Sequence, residues 1–165
     1  KKNPFALIKN MLPAYTTAIG TQSSAATIPV TTQCTKNNGV SDGMAEFVCP
    51  LCATIHLSGS TITLTSCAMA VMVMMNQSIG FGKMFPFILM LGVTMVAAPG
   101  VPGGAVMAAL GILQSMLGFD ETMCGLMIAL YIAQDSFGTA CNVTGDGAIA
   151  VLMDAITGKK KAAAK

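Results

Sequence analysis

Two long stretches of this chain are nearly free of ionisable side chains, and they restrict its fold more than any other feature. Residues 47–82 contain His56 but no Asp, Glu, Lys or Arg, and residues 84–119 contain none of these five residue types. Each stretch is longer than the roughly 20 residues that cross a bilayer once as a helix. A domain that faces water on all sides needs charged residues throughout its sequence. We therefore expect the chain to be embedded in a membrane.

The overall composition favours the same location. Hydrophobic residues make up 53% of the 165 residues and charged residues only 10%, whereas soluble domains carry about 25% charged residues. All nine basic residues are Lys, and the formal net charge is only +2. This charge is too small for a nucleic-acid surface, so we expect no nucleic-acid partner. The expected partners are membrane lipid and a small-molecule solute.

Polar interruptions divide the apolar sequence into helical segments. We predict, in chain order, a hairpin, a broken transmembrane helix, a second hairpin and a last transmembrane helix at about residues 4–36, 44–75, 83–117 and 121–156. The hairpins are each interrupted by a Ser-rich or Gly/Pro-rich tip, and the broken helix by residues 56–61. Half-length helices around such a tip are typical of re-entrant hairpins. The expected fold is an all-α membrane protein in which these segments form an inverted repeat, as in many secondary transporters.

Four polar residues of the last helix are expected to share one face. Asp135, Thr139, Asn142 and Asp146 follow one another at intervals of four, three and four residues, which places them in a stripe about 60° wide on a helix. A carboxylate in the membrane costs about 2.5 to 3.5 kcal/mol on insertion scales and usually marks a substrate or ion path. Asp154 points away from the stripe and is interpreted as solvated.

The tips of the hairpins provide further candidate ligand groups. Carboxylate, amide and hydroxyl oxygens suit a hard cation such as Na⁺, and the broken helices provide free backbone carbonyls. Ser23 and Ser24 at the first tip suit a substrate carboxylate, although a Ser pair is as often a helix cap. The segment from Pro99 to Gly104 is a candidate gate, although such loops are usually only turns.

Four motifs carry a resemblance to a known family: Ser23-Ser24-Ala25-Ala26-Thr27-Ile28-Pro29-Val30, Pro50-Leu51-Cys52-Ala53-Thr54-Ile55, Gly100-Val101-Pro102-Gly103-Gly104 and Asn142-Val143-Thr144-Gly145-Asp146. The chain resembles the C-terminal half of the dicarboxylate/amino acid:cation symporters, which include glutamate and neutral amino-acid transporters. The resemblance implies a mobile transport domain at residues 1–158 that moves as an elevator. It also implies an N-terminal scaffold domain that is absent here, a homotrimer in the full-length protein and a multi-pass location in the plasma or inner membrane. Residues 159–165 are interpreted as a basic tail that is in part artificial.

The resemblance also implies the ligand sets. Asp135 would hold the substrate amino group, and Asn142 with Ser24 its α-carboxylate. The full substrate set implied is Ser23, Ser24, Ser60, Val101, Gly104, Asp135, Gly138, Thr139 and Asn142. The cation sets comprise Cys52, Thr54, His56, Met95, Val96, Ala98, Asn142 and Asp146, several of them through backbone carbonyls.

Departures from the family pattern point to the substrate. Acidic-substrate members place an arginine where this chain has Gly138, and an arginine sometimes found at the first tip is Gln22 here. Because the sequence has no arginine, no side chain can bind a second substrate carboxylate through two parallel hydrogen bonds. We therefore expect a neutral amino acid as substrate.

The break of the second segment departs from the family as well. The family sequence Asn-Met-Asp-Gly-Thr reads His56-Leu57-Ser58-Gly59-Ser60, so one cation site is expected to be weakened or lost. His56 either carries a coupling proton, since imidazole titrates near neutral pH, or is a hydrogen-bonded core residue that orients the break.

The leading hypothesis is Na⁺-coupled symport of a small neutral amino acid. The first alternative is symport of a dicarboxylate or an acidic amino acid, coupled to protons through His56. The second alternative, of another class, is a ligand-binding or structural membrane module that does not transport. We do not expect an enzyme, because the chain has a single His, no nucleophile elbow and no phosphate-binding loop.

Overall fold

The fold is all-α, as expected from the sequence. The computed structural model describes the backbone of residues 3–163 and the side chains of residues 3–158, and this part of the chain contains no strand. Its helices are α1 (Pro4–Thr21), α2 (Ser24–Asn37), α3 (Asp42–Ile55), α4 (Ser58–Met74), α5 (Phe81–Met95), α6 (Gly104–Leu117) and α7 (Glu121–Ala163).

Local sequence explains the sharp turn between α1 and α2. Pro4 occupies the first turn of α1, where a missing N–H costs nothing, and the Asn3 side chain accepts the Phe5 amide at 3.0 Å. α1 ends at Thr21 and is followed by Gln22, whose φ of 51° is left-handed. Ser23 then caps α2, because its hydroxyl oxygen accepts the Ala26 amide at 3.1 Å. α1 and α2 together are called the first hairpin.

The helix after the first hairpin is interrupted for only two residues. His56 and Leu57 are non-helical between α3 and α4, whereas the sequence predicted a break over residues 56–61. By length and composition, the segment Asp42–Met74 that contains this break is long and apolar enough to cross a membrane. It is the one such segment among the residues that the structure describes.

α5 and α6 form the second hairpin around a glycine-dependent tip. Gly103 has a φ of 72° and stands at the N-cap of α6. This left-handed conformation is open to glycine at little cost and is unfavourable for residues with a side chain. The tip can therefore turn tightly and leave its backbone amides free to bond to groups outside the hairpin.

α7 packs against most of the other helices. It contacts α1, α2, α3, α4 and α6. One apolar core joins α4, α5 and α6 to α7 as far as Tyr131. Two smaller clusters join α1 and α2 to Val143 and α3 to Ala150. The polar stripe of α7 lies between these apolar clusters.

The two hairpins approach the middle of α7 from opposite ends. Met11 of α1 packs against Gly147, in the second half of α7. At the other end, Leu117 of α6 shares a core with Met123, near the start of α7. The hairpin tips meet between these points, as the contacts below show.

α7 is longer than the sequence predicted. It continues to Ala163 rather than ending near residue 156, because Lys and Ala are good helix formers. The predicted tail at 159–165 thus begins as helix. Its side chains and residues 164–165 lie outside the described part of the chain.

Candidate functional site

The polar stripe of α7 faces inward. Asp135, Thr139, Asn142 and Asp146 are all between 1% and 3% exposed. Buried carboxylates and amides need partners, since each unpaired polar group costs roughly 1 to 3 kcal/mol. Their partners outside α7 come from the break between α3 and α4, from the start of α4 and from the tip of the second hairpin.

Both hairpin tips meet beside Asp135. The Gly100 carbonyl of the second tip accepts hydrogen bonds from the Ser23 hydroxyl at 2.7 Å and from the Ala25 amide at 3.2 Å. The Gly103 amide donates to Asp135 Oδ2 at 2.8 Å. Asp135 therefore takes one hydrogen bond from the tip of the second hairpin, and this tip is joined to the first.

Asn142 holds the start of α4. Its Oδ1 accepts the amides of Gly59 at 2.8 Å and Ser60 at 3.3 Å, and its Nδ2 donates to Ser60 Oγ at 2.8 Å. These amides have no partner within α4, because a helix leaves its first N–H groups free. One Nδ2–H of Asn142 and the Ser60 hydroxyl proton remain available to a carboxylate.

His56 and Asp146 form the second polar cluster of the site. His56 Nδ1 lies 2.8 Å from Asp146 Oδ1, and the imidazole is 24% exposed. Asp146 Oδ2 is buried and has no hydrogen-bond partner among the residues that the structure describes. The Cys52 carbonyl accepts the His56 amide at 2.8 Å, so Cys52, His56 and Asp146 lie together. An unpartnered carboxylate oxygen is a suitable ligand for a hard cation.

The remaining predicted residues are less closely assembled. Ser24 and Gly104 are buried at the two tips, whereas Val101 is 51% exposed. The Thr54 hydroxyl donates to Leu51 within α3, and the Met95 carbonyl accepts the Ala98 amide. With Val96, which is exposed, these residues remain a predicted cation set. The Ala53 carbonyl does lie close to Gly100, so the end of α3 adjoins the second tip.

Gly138, the position at which acidic-substrate members of the resembled family have arginine, is part of a close helix contact. A Cβ on Gly59 would overlap the Gly138 carbonyl oxygen and come within 2.7 Å of Cys141 Cβ. A Cβ on Gly138 itself would lie 3.1 Å from the Thr63 hydroxyl. The close approach of α4 to α7 therefore depends on glycine at position 59, and Gly138 leaves little space for a side chain.

This close contact predicts a loss of stability for Gly59→Ala. Because the added methyl group meets backbone, we expect the free energy of unfolding to fall by about 1 to 3 kcal/mol. Chemical denaturation of the full-length protein in detergent measures the change. Gly125→Ala is the matched control on α7, since a Cβ there would meet nothing within 4 Å, and its effect should stay below about 1 kcal/mol. Equal stability of the two variants would contradict the close contact.

Tyr131, which was not among the residues predicted from the sequence, also belongs to this face. It precedes Asp135 by four residues, one helical turn, and is fully buried. Its hydroxyl lies beside Ser60 and Asp135, but neither is placed to complete a hydrogen bond with it. The four-residue spacing was the available signal, but an aromatic residue at that spacing also suits an apolar core.

Comparison with known proteins gives consistent matches over nearly the whole chain. The model of the sodium:dicarboxylate symporter family matches residues 1–156. Excitatory amino acid transporter 5 of Mus musculus is 32% identical over 154 residues, which cover 93% of this chain and 27% of that protein. Excitatory amino acid transporter 1 of Homo sapiens is 32% identical over 147 residues, covering 88% of this chain and 27% of that protein.

A relative named for neutral substrates matches about equally well. Neutral amino acid transporter A of Bos taurus is 31% identical over 147 residues, covering 88% of this chain and 28% of that protein. The chain thus spans little more than a quarter of the length of these curated relatives.

Proposed function

Because this chain belongs to the sodium:dicarboxylate symporter family, whose members are membrane transporters, we propose that the full-length protein carries a small neutral amino acid across the membrane together with Na⁺. The chain would supply the binding site for both. It would form a transport domain that moves as an elevator against a scaffold in a homotrimer. The membrane would be the plasma or inner membrane, crossed several times.

The observation that carries this proposal is the environment of Asp135. A buried carboxylate, one face of which is met by the joined tips of two hairpins, is a suitable anchor for an ammonium group. Asp135 can accept further hydrogen bonds. A carboxylate accepts about four, and only Gly103 and Thr139 donate to it among the described residues. The free Nδ2–H of Asn142 and the Ser60 hydroxyl support binding of the α-carboxylate farther along α7.

The charge of the site favours a neutral substrate. A second substrate carboxylate needs a cation beside it, and the sequence has no arginine. Lys36 is paired with Asp42 and Glu46, and Lys83 donates to the Leu117 carbonyl. Lys9 is exposed on α1, and none of these three lysines forms an ion pair or hydrogen bond with the polar stripe. The position at which acidic-substrate members place an arginine is here the close contact of Gly138 with Gly59.

Asp146 supports the proposal that Na⁺ is cotransported. Its Oδ2 is a buried acceptor that receives no hydrogen bond from residues 3–158, as expected for an oxygen that binds a cation. The Cys52 carbonyl and the Asn142 amide oxygen are further oxygen ligands in the same region, although both accept backbone amides in the present arrangement. His56 occupies one side of Asp146. Because imidazole has no oxygen atom, this side offers Na⁺ fewer oxygen ligands than it would with asparagine at position 56.

The outer surface supports a membrane location for the hairpins. Large apolar side chains are exposed on α1 and α5, among them Phe5, Phe81, Phe85 and Val93. Their exposure to water would be unfavourable by about 25 cal/mol per Å². In the full-length protein, lipid or the scaffold would cover them.

Uptake by liposomes that contain the full-length protein tests the proposed function. We expect radiolabelled serine or alanine to accumulate when an inward Na⁺ gradient is imposed, and not when K⁺ replaces Na⁺. Uptake that ignores the Na⁺ gradient would contradict the coupling. Competition by succinate or aspartate but not by serine would instead favour the dicarboxylate alternative. Binding without uptake would favour a module that does not transport.

A further inference from the structure

Tyr131 has a buried hydroxyl group without a hydrogen-bond partner at the edge of the proposed substrate site. The residue is 0% exposed, and its ring is part of the core that joins α4 and α6 to α7. Its hydroxyl oxygen makes no hydrogen bond with any described residue. Buried tyrosine hydroxyls normally find a partner, so this group is available to a ligand or to an ordered water.

Each of the two polar neighbours of the hydroxyl bonds to another group and keeps further hydrogen-bonding capacity. Ser60 Oγ accepts Nδ2–H of Asn142, and Asp135 Oδ2 accepts the Gly103 amide. The phenol thus lies between a serine hydroxyl and a carboxylate without completing a bond to either. A ligand held by Asp135 would bring its own polar atoms within reach of this group.

The order of residues along α7 indicates which part of the ligand that would be. Tyr131 precedes Asp135 by one turn, about 6 Å, whereas Asn142 follows Asp135 by about 10 Å. In the proposed function, Asp135 holds the amino group and Asn142 the α-carboxylate. Because Asn142 and the Ser60 hydroxyl that it contacts would bind the α-carboxylate, the substituent on the α-carbon is the group left to face Tyr131.

Charge limits the chemistry of this substituent. A carboxylate there would stand beside Asp135 with no cation among the described neighbours, and like charges at short range are unfavourable. A hydroxyl or amide group can accept the phenol proton and donate to Ser60 or Asp135. An alkyl group would leave the phenol unpaired.

We propose that Tyr131 is a specificity-determining residue that contacts the substrate side chain and selects amino acids with a short, uncharged polar side chain over alanine. This inference rests on the proposed function and narrows its substrate class. Hydroxyl-bearing substrates such as serine and threonine would be preferred. A net hydrogen bond of ordinary strength corresponds to a preference of about fivefold to tenfold.

The test compares the affinities of serine and alanine for the full-length protein in detergent with Na⁺ present. Wild-type protein should bind serine about fivefold to tenfold more tightly than alanine. Tyr131→Phe keeps the ring that fills the core and removes only the hydroxyl, so it should bring the two affinities within about twofold, chiefly by weakening serine binding. Tyr15→Phe, at the other tyrosine of the chain and outside this site, should keep the wild-type ratio.

The outcomes separate this inference from the function on which it rests. An unchanged ratio in Tyr131→Phe, with both amino acids still bound, would overturn the inference alone. A parallel loss of both affinities would also overturn it, because a merely structural role changes both together. If this variant does not fold, the wild-type ratio decides, and equal affinities for serine and alanine would refute the selection. Wild-type protein that binds neither amino acid would refute the proposed function itself.

Discussion

Asp135→Asn is expected to abolish measurable binding of amino acids to the full-length protein. Asparagine has nearly the same shape and can still accept the Gly103 amide, which bonds to Oδ2 in the wild type. The substitution therefore removes charge while leaving the contact with the second hairpin possible. Removing one partner of a buried charge pair costs about 2 to 5 kcal/mol, which lowers affinity by about 30-fold or more. Calorimetric titration with serine measures the loss.

Asp154→Asn is the matched control for this prediction. Asp154 lies on the same helix but accepts hydrogen bonds from the Ser41 amide and hydroxyl at the start of α3, away from the hairpin tips. We expect its neutralisation to leave amino-acid affinity unchanged. If Asp135→Asn bound serine as tightly as this control does, Asp135 would not be the anchor of the ammonium group.

Asp146→Asn is expected to weaken the dependence of amino-acid binding on Na⁺. The substitution puts an N–H donor, or at best a neutral oxygen, where the wild type has an unpartnered carboxylate oxygen. A cation bound there would lose its charged ligand. We expect the Na⁺ concentration for half-maximal serine binding to rise at least about tenfold, a change that corresponds to roughly 1.4 kcal/mol.

The measurement for Asp146 is a Na⁺ titration of serine binding at constant ionic strength, with choline replacing Na⁺. Asp154→Asn again serves as the control, because it removes the same charge from the same helix. A Na⁺ dependence that stays at the wild-type value in Asp146→Asn would exclude this carboxylate from the cation site. Loss of serine binding at every Na⁺ concentration would point to a shared site rather than a separate one.

The stripe on α7 could be predicted from the sequence because helical periodicity alone determines it. Asp135, Thr139, Asn142 and Asp146 recur at helical intervals within apolar sequence, and all four are buried in the structure. The interruptions near Ser23 and Gly103 were equally visible, since serine and glycine at such points end and begin helices.

Contacts between segments distant in sequence could not be predicted in this way. The break after α3 was expected to extend to Thr61, but α4 begins at Ser58 because Asn142 accepts the first free amides. No local feature of residues 56–61 reveals a cap that comes from another helix. The same holds for Gly103, whose amide is bonded to Asp135.

Tyr131 shows a different limit of sequence analysis. Its spacing from Asp135 is helical, but an aromatic side chain at that spacing also suits a core, and most of Tyr131 does lie in one. What distinguishes it is a single oxygen atom without a partner. Such an atom can be recognised only when the surrounding helices are in place.

The continuity of α7 restricts how this chain can change shape. At 43 residues it is a rod about 65 Å long, roughly twice the hydrocarbon thickness of a bilayer. Both hairpins and both halves of the interrupted helix rest on it or on helices that do. A bend in this rod would break several packed surfaces at once, whereas lifting the second tip requires the loss of only a few hydrogen bonds. We therefore expect any large displacement to move the polar stripe and the helices packed around it together as one rigid unit.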